Sequence, residues 1–141
     1  MKRTILLIED DEMIATMLLT AIRSWGYEAL HASGSQEALR IANGCQNGIF
    51  MAICDVVLRD GNGSAVAAGV RARCPESLTL FTSGYPLDML LDRGLLTAET
   101  LSSTGAEYLQ KPFLPRDLRA IVDGATRSFA GTRAFSAGVS R

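Results

Sequence analysis

Two unbroken apolar runs, Ile5-Leu6-Leu7-Ile8 and Ile49-Phe50-Met51-Ala52-Ile53-Cys54, stop abruptly at carboxylates: Glu9-Asp10-Asp11 after the first, Asp55 after the second. A strand with no polar position is covered on both faces, as the central strands of a parallel sheet are when helices pack on each side. The carboxylates then stand at the mouth of the sheet, where packing gives them no role.

The rest of the chain alternates in the same way. After the first acids, Ile14, Met17, Leu18, Ala21, Ile22 and Trp25 recur at helical spacing up to Gly26, with Asp11 placed as the helix cap in preference to a metal ligand. Met13, Met17 and Trp25 read as the contacts that pack this helix on its neighbours. Tyr27 to Ala32 is a second, more exposed strand carrying a half-exposed His31, and Ser33 or Ser35 can cap the helix that follows, with Ala38, Leu39 and Ala42 inward. Past Asp55 a glycine-bearing loop closes at Gly63, and Ser64 can cap a third helix carrying Val66, Ala67 and Val70. Leu78 to Thr82 is a fourth strand, broken by Ser83-Gly84-Tyr85-Pro86. A helical stretch spans Leu87 to Arg93, and the polar segment Thr97 to Gly105 shows no assignable pattern. Glu107-Tyr108-Leu109-Gln110 is a short fifth strand ending at Lys111-Pro112-Phe113, and Pro115 opens a last helix whose inner stripe is Leu118, Ile121, Val122, Ala125 and Phe129. Residues 1–129 are expected to form one domain, and residues 130–141, small and polar, a flexible tail.

Strands and helices alternating through short connections imply an α/β fold: a doubly wound, five-stranded parallel sheet. Right-handed crossovers leave few strand orders, of which 2-1-3-4-5 is the flavodoxin-like one. That order makes strands 1 and 3 neighbours, and the switch-point rule puts ligands at their carboxyl ends, where Glu9, Asp10 and Asp55 stand. The 141 residues suffice for a core without disulfides or metal, and the net charge of -1 gives no electrostatic footprint for nucleic acid. Three cysteines without C-x-x-C spacing suggest neither a disulfide framework nor zinc, so a reducing cytoplasm is the expected home. The first apolar run is too short for a signal sequence or membrane helix.

Three carboxylates crowded at adjacent strand ends repel one another, and a cation must neutralise them. All-oxygen ligands favour magnesium over zinc. Lys111 adds a fixed positive charge, and the two cations together suit a phosphoryl group. Asp55 is then the nucleophile that forms an acyl phosphate, a transfer that relies on positioning and charge neutralisation, with Ser83 donating a hydrogen bond to a phosphoryl oxygen.

These residues resemble the receiver domain of bacterial two-component response regulators. The resemblance covers roughly Lys2 to Phe129 and rests on four pieces: Ile-Glu-Asp-Asp at 8 to 11; Asp55-Val-Val-Leu with Gly63 beyond; Thr-Ser-Gly-Tyr at 82 to 85; and Lys111-Pro112-Phe113. It implies that Asp55 is the phospho-acceptor, Asp10 a direct magnesium ligand, Glu9 a ligand through water and Val57 a ligand through its backbone carbonyl. It also implies that Ser83 is the switch hydroxyl, with Thr82 the weaker register, that Tyr108 is the aromatic that turns inward with it, and that the Lys111-Pro112 bond is cis.

Two positions depart from the family pattern. Arg59 stands where proline is usual, so the loop is either more mobile or offers an arginine to a partner. The segment from Ser83 to Lys111 is longer than is common, as in receivers attached to hybrid histidine kinases.

The resemblance implies a phosphorelay module that takes its phosphoryl group from a sensor histidine kinase or phosphotransfer protein and switches binding of a downstream protein target. It would be a non-enzyme, a monomer or a phosphorylation-dependent dimer, with no direct nucleic-acid or membrane contact and no appended output domain. The alternatives are an aspartyl-phosphate phosphatase, for which Val57 stands where a second acid is expected, and a degenerate receiver used only for docking. A nucleotide- or flavin-binding protein would need a glycine-rich first turn, and Glu9-Asp10-Asp11 would repel phosphate. Cys54 reads as a small buried apolar residue, Lys111 as functional in preference to a solvated surface lysine, and Tyr108 as either switch or plain core.

Overall fold

The computed structural model describes residues 2–45 and 48–138, with side chains through residue 128. The chain runs β1 (Thr4–Ile8), α1 (Glu12–Ser24), β2 (Glu28–Ala32), α2 (Ser35–Gly44), β3 (Met51–Asp55), β4 (Val57–Leu58), β5 (Gly61–Asn62), α3 (Gly63–Arg73), β6 (Leu78–Ser83), α4 (Leu87–Asp92), α5 (Ala98–Thr104), β7 (Glu107–Gln110) and α6 (Pro115–Gly138). The main sheet is parallel throughout, in the order β2-β1-β3-β6-β7. With the two-residue strands β4 and β5 set aside as a small antiparallel hairpin, this is the expected 2-1-3-4-5 arrangement.

The two unbroken runs become β1 and β3, and their side chains feed alternate faces. Leu6, Ile8, Ala52 and Cys54 join α2 and α3 residues such as Ala38, Val66 and Val70 on one side. Ile5, Leu7, Met51 and Ile53 join Leu18 and Ile22 of α1 and Leu118 and Val122 of α6 on the other. A sheet covered on both faces leaves only its strand ends free for polar chemistry. Ile8 pairs with Cys54 and Asp55 with Thr82, so Glu9 and Asp55 emerge side by side.

Several local expectations change. Met13 and Met17 are 85% and 51% exposed and belong to neither core cluster, because Ala15, Leu18 and Ile22 form the buried stripe and positions 13 and 17 fall on the opposite face. Trp25 does pack on the core. Neither Ser33 nor Ser35 caps α2. Gly34 is the cap residue and makes no side-chain bond, while Asp60 reaches over from the hairpin to accept the Ser35 N–H at 2.9 Å. Ser64 lies inside α3, which Asn62 caps by accepting the Ser64 N–H at 2.7 Å.

The unassigned stretch contains α5, capped by Thr97, whose hydroxyl accepts the Thr100 N–H, and closed by Gly105 at φ 64° in the left-handed region. The backbone of α6 stays helical through Gly138, where irregular chain was expected from residue 130. No proline interrupts residues 130–138, and they include three alanines. Residues 139–141 and the Phe129 side chain lie outside what is described. Among the described residues, no helix is long and apolar enough to cross a membrane.

Candidate functional site

The expected residues meet at the carboxyl end of the sheet. Glu9 and Asp55 are buried, and between them Lys111 Nζ donates to Glu9 Oε1 at 2.6 Å and to Asp55 Oδ2 at 2.9 Å. The backbone holds each partner in place. Glu9 Oε2 accepts the Asp11 N–H at 3.1 Å, Asp55 Oδ1 accepts the Val57 N–H at 3.2 Å, and the Lys111 N–H donates to the Ser83 carbonyl at 2.8 Å. The Lys111-Pro112 peptide is cis, as the resemblance implied.

Asp10 completes the group: carboxylate oxygens of Glu9, Asp10 and Asp55 all lie within 4.8 Å of one another. One ammonium among three carboxylates leaves an excess of negative charge, which suits a divalent cation. Burial alone would lower the Lys111 pKa, but its hydrogen bonds to Glu9 and Asp55 and their charges outweigh burial and hold it above the usual lysine value. The donor set is all oxygen, as magnesium or calcium requires, and the nearby thiol is not in it. Cys54 Sγ donates to the carbonyls of Asp55 and Gly63, both at 3.4 Å, and burial, aided by the charges of Asp55 and Glu9, pushes its pKa well up. It is inert packing, as read from sequence.

Gly63 permits the close turn behind the acceptor: a Cβ there would fall 1.9 Å from the Asp55 carbonyl oxygen. Ser83 is buried at the end of β6, its Oγ accepting the Tyr85 N–H at 3.2 Å, and Thr82 beside it is also buried. Half-buried Tyr108 donates its hydroxyl to the carbonyls of Ser83, at 3.2 Å, and Tyr85. Burial, and then the Asp55 charge, raise its pKa although the Ser83 hydrogen bond opposes them. Tyr108 is therefore tied to the segment that carries Ser83. His31 lies outside the pocket, half-buried, with Nε2 2.8 Å from the Glu9 carbonyl oxygen.

Sequence reasoning missed the hairpin tip. The Arg59 N–H donates to Asp10 Oδ2 at 2.8 Å, and Asp60 fastens the tip to α2. The sequence signals were Arg59 in the place of the usual proline, which left its partner open, and an acid next to glycine, Asp60-Gly61, in a turn.

The fold and the arrangement of the pocket are those of a response-regulator receiver domain, and the comparisons with known proteins point the same way. No protein-family model matches the chain. The curated relatives include the sensor kinase CckA of Brucella abortus, 29% identical over 119 residues, which are 84% of this chain and 12% of that protein. Among solved structures, the receiver domain of a hybrid histidine kinase CckA superposes with a TM-score of 0.71 at 25% identity, covering 86% of this chain and 97% of that one. A response regulator from Burkholderia pseudomallei, solved with a phosphorylated aspartic acid, a calcium ion and citrate, gives 0.71 at 24% identity over 93% of this chain and 73% of that one. In sequence and in fold the chain is similar to the receiver domains of two-component response regulators. It spans about half the length, or less, of the first curated relatives it matches.

Proposed function

We propose that the chain accepts a phosphoryl group on Asp55 from phosphohistidine of a sensor histidine kinase or phosphotransfer protein, and that this changes which downstream protein it binds. The observation that carries the reading is Lys111, shared by Glu9 and Asp55 at register-matched strand ends with Asp10 alongside. Magnesium would be held by Asp10, Asp55 and the Val57 carbonyl, with Glu9 acting through water, and when bound would supply neutralisation of phosphoryl charge. The Burkholderia regulator, of the same fold, holds a phosphorylated aspartic acid in a structure that also contains a calcium ion, which is the chemistry proposed here.

The protein's own residues do the rest. Val57 N–H and Lys111 fix the Asp55 carboxylate before the donor arrives, so an oxygen is positioned for in-line attack. The new P–O bond forms as the donor's P–N bond breaks, and the bond's electron pair stays on the departing nitrogen, so an imidazole already protonated at its other nitrogen leaves as the neutral ring. Lys111 then stays beside the phosphoryl oxygens, and Ser83 donates its hydroxyl to one of them. Tyr108, tied to the Ser83 segment, turns as that segment moves.

The role is regulatory rather than enzymatic, apart from slow hydrolysis of its own phosphoaspartate, because the position two beyond Asp55 is Val57, with no acid to protonate a leaving group. A degenerate docking module is disfavoured because every pocket residue type is present. The functional unit is placed within residues 1–129, and three free cysteines suit a cytoplasmic setting. Incubation with magnesium and an acyl phosphate should add one phosphoryl mass, and Asp55→Asn should prevent it. Labelling that persists unchanged in Asp55→Asn overturns the assignment.

A further inference from the structure

The three pocket carboxylates do not share one cation. Lys111 serves Glu9 and Asp55. Asp10 is held by the hairpin tip instead: its Oδ2 accepts the Arg59 N–H at 2.8 Å and lies 4.0 Å from the guanidinium Nε. The Asp10 side chain is 17% exposed and that of Arg59 83%, so packing does not call for an arginine there. The tip is pinned. Asp60 accepts both the N–H and the hydroxyl of Ser35 at 2.9 Å, and Asn62 caps α3. The anchored backbone keeps the guanidinium within reach of Asp10, while the exposed side chain keeps its own rotamer freedom.

We propose that Arg59 is the resting counter-ion of Asp10 and opposes divalent-cation binding, so that a metal takes Asp10 as ligand against the charge of a guanidinium about 4.0 Å away. The inference rests on the reading of the pocket as a magnesium site. A cation that takes Asp10 as ligand arrives within a few ångströms of Arg59, and like charges at that range repel. Solvent screens so exposed a side chain, which limits the effect to about two- to fivefold in affinity. The pocket therefore fills at a higher metal concentration than it would with an uncharged residue at position 59, and the gap closes as salt screens the charges.

The test is calorimetric titration of the full chain with magnesium chloride at low ionic strength, with no phosphodonor present. Arg59→Gln should bind magnesium about two- to fivefold more tightly than the wild type. Arg119→Gln, an equal loss of charge on α6 where Arg119 pairs with Asp123, should bind like the wild type. In wild-type protein the Arg59 amide resonance should shift as magnesium is added. Arg59→Gln binding no more tightly than wild type overturns the inference and leaves the pocket reading standing. A wild type that binds no magnesium overturns both.

Discussion

Lys111 shows how one side chain can be worth more than its own contacts. It lies between two buried carboxylates, and its raised pKa means that the folded state holds the proton more tightly than the unfolded chain does. That stabilisation is fully present below the ordinary lysine value of 10.5 and is lost as pH rises through the higher folded value. Urea denaturation should thus give a stability that falls above about pH 10.5 in the wild type, and falls less in Lys111→Met. At neutral pH without divalent cations the substitution leaves buried acids unpaired and should cost about 2–4 kcal/mol, with added magnesium recovering part of it. Tyr108→Phe removes a hydroxyl that bonds two carbonyls and should cost about 1 kcal/mol in the same assay. Glu9, Asp10, Asp55 and Lys111 were legible in the sequence because strand ends announce themselves where an apolar run meets charge. Arg59 stood out in the sequence, but its contact with Asp10 and the role of Asp60 did not, because both act on groups far away in the chain, one through a backbone N–H and the other as a cap for a distant helix.

At the level of elements, the hairpin β4–β5 works as a clasp. Asp60 supplies α2 with the cap that Gly34 lacks, and Asn62 does the same for α3. Asp60→Ala should destabilise the protein by about 0.5–2 kcal/mol. Gly34→Ala should act on the same contact, because its Cβ would stand 2.6 Å from Asp60 Oδ2. The double variant should then lose clearly less than the sum of the two single losses, as a double-mutant cycle measures. Strict additivity would mean that Gly34 and Asp60 act independently. The elements that sequence reasoning missed share a physical cause. Helix α5 buries no residue, so it has no apolar period to read, although Thr97 and Gly105 marked both of its ends. Serines at 33, 35 and 64 were plausible caps by type, but a cap is decided by which oxygen the fold brings to the N–H, and here those oxygens belong to Asp60 and Asn62.

For the molecule as a whole, strand order followed from the alternation of buried runs and helices, whereas the character of the surface did not. Helical spacing alone cannot separate a wide buried stripe from a narrow one with apolar neighbours in solvent, so Met13 and Met17 were assigned to packing. Their exposure fits a wider pattern. Met13, Val57, Tyr85 and Leu114 are all exposed large apolar residues, and each stands two or three positions beyond a pocket residue: Asp10, Asp55, Ser83 and Lys111 respectively. Exposed apolar groups that follow the pocket residues by two or three positions are ill-suited to recognising a small phosphate donor in water and well suited to seating a protein that carries one. Met13→Glu places a charge among those groups without altering the carboxylates or Lys111. Phosphotransfer from a cognate protein donor should slow by about fivefold or more, while labelling by an acyl phosphate at saturating magnesium stays unchanged. Equal slowing with both donors would locate the effect in the pocket itself, and no slowing with either would remove Met13 from the docking surface.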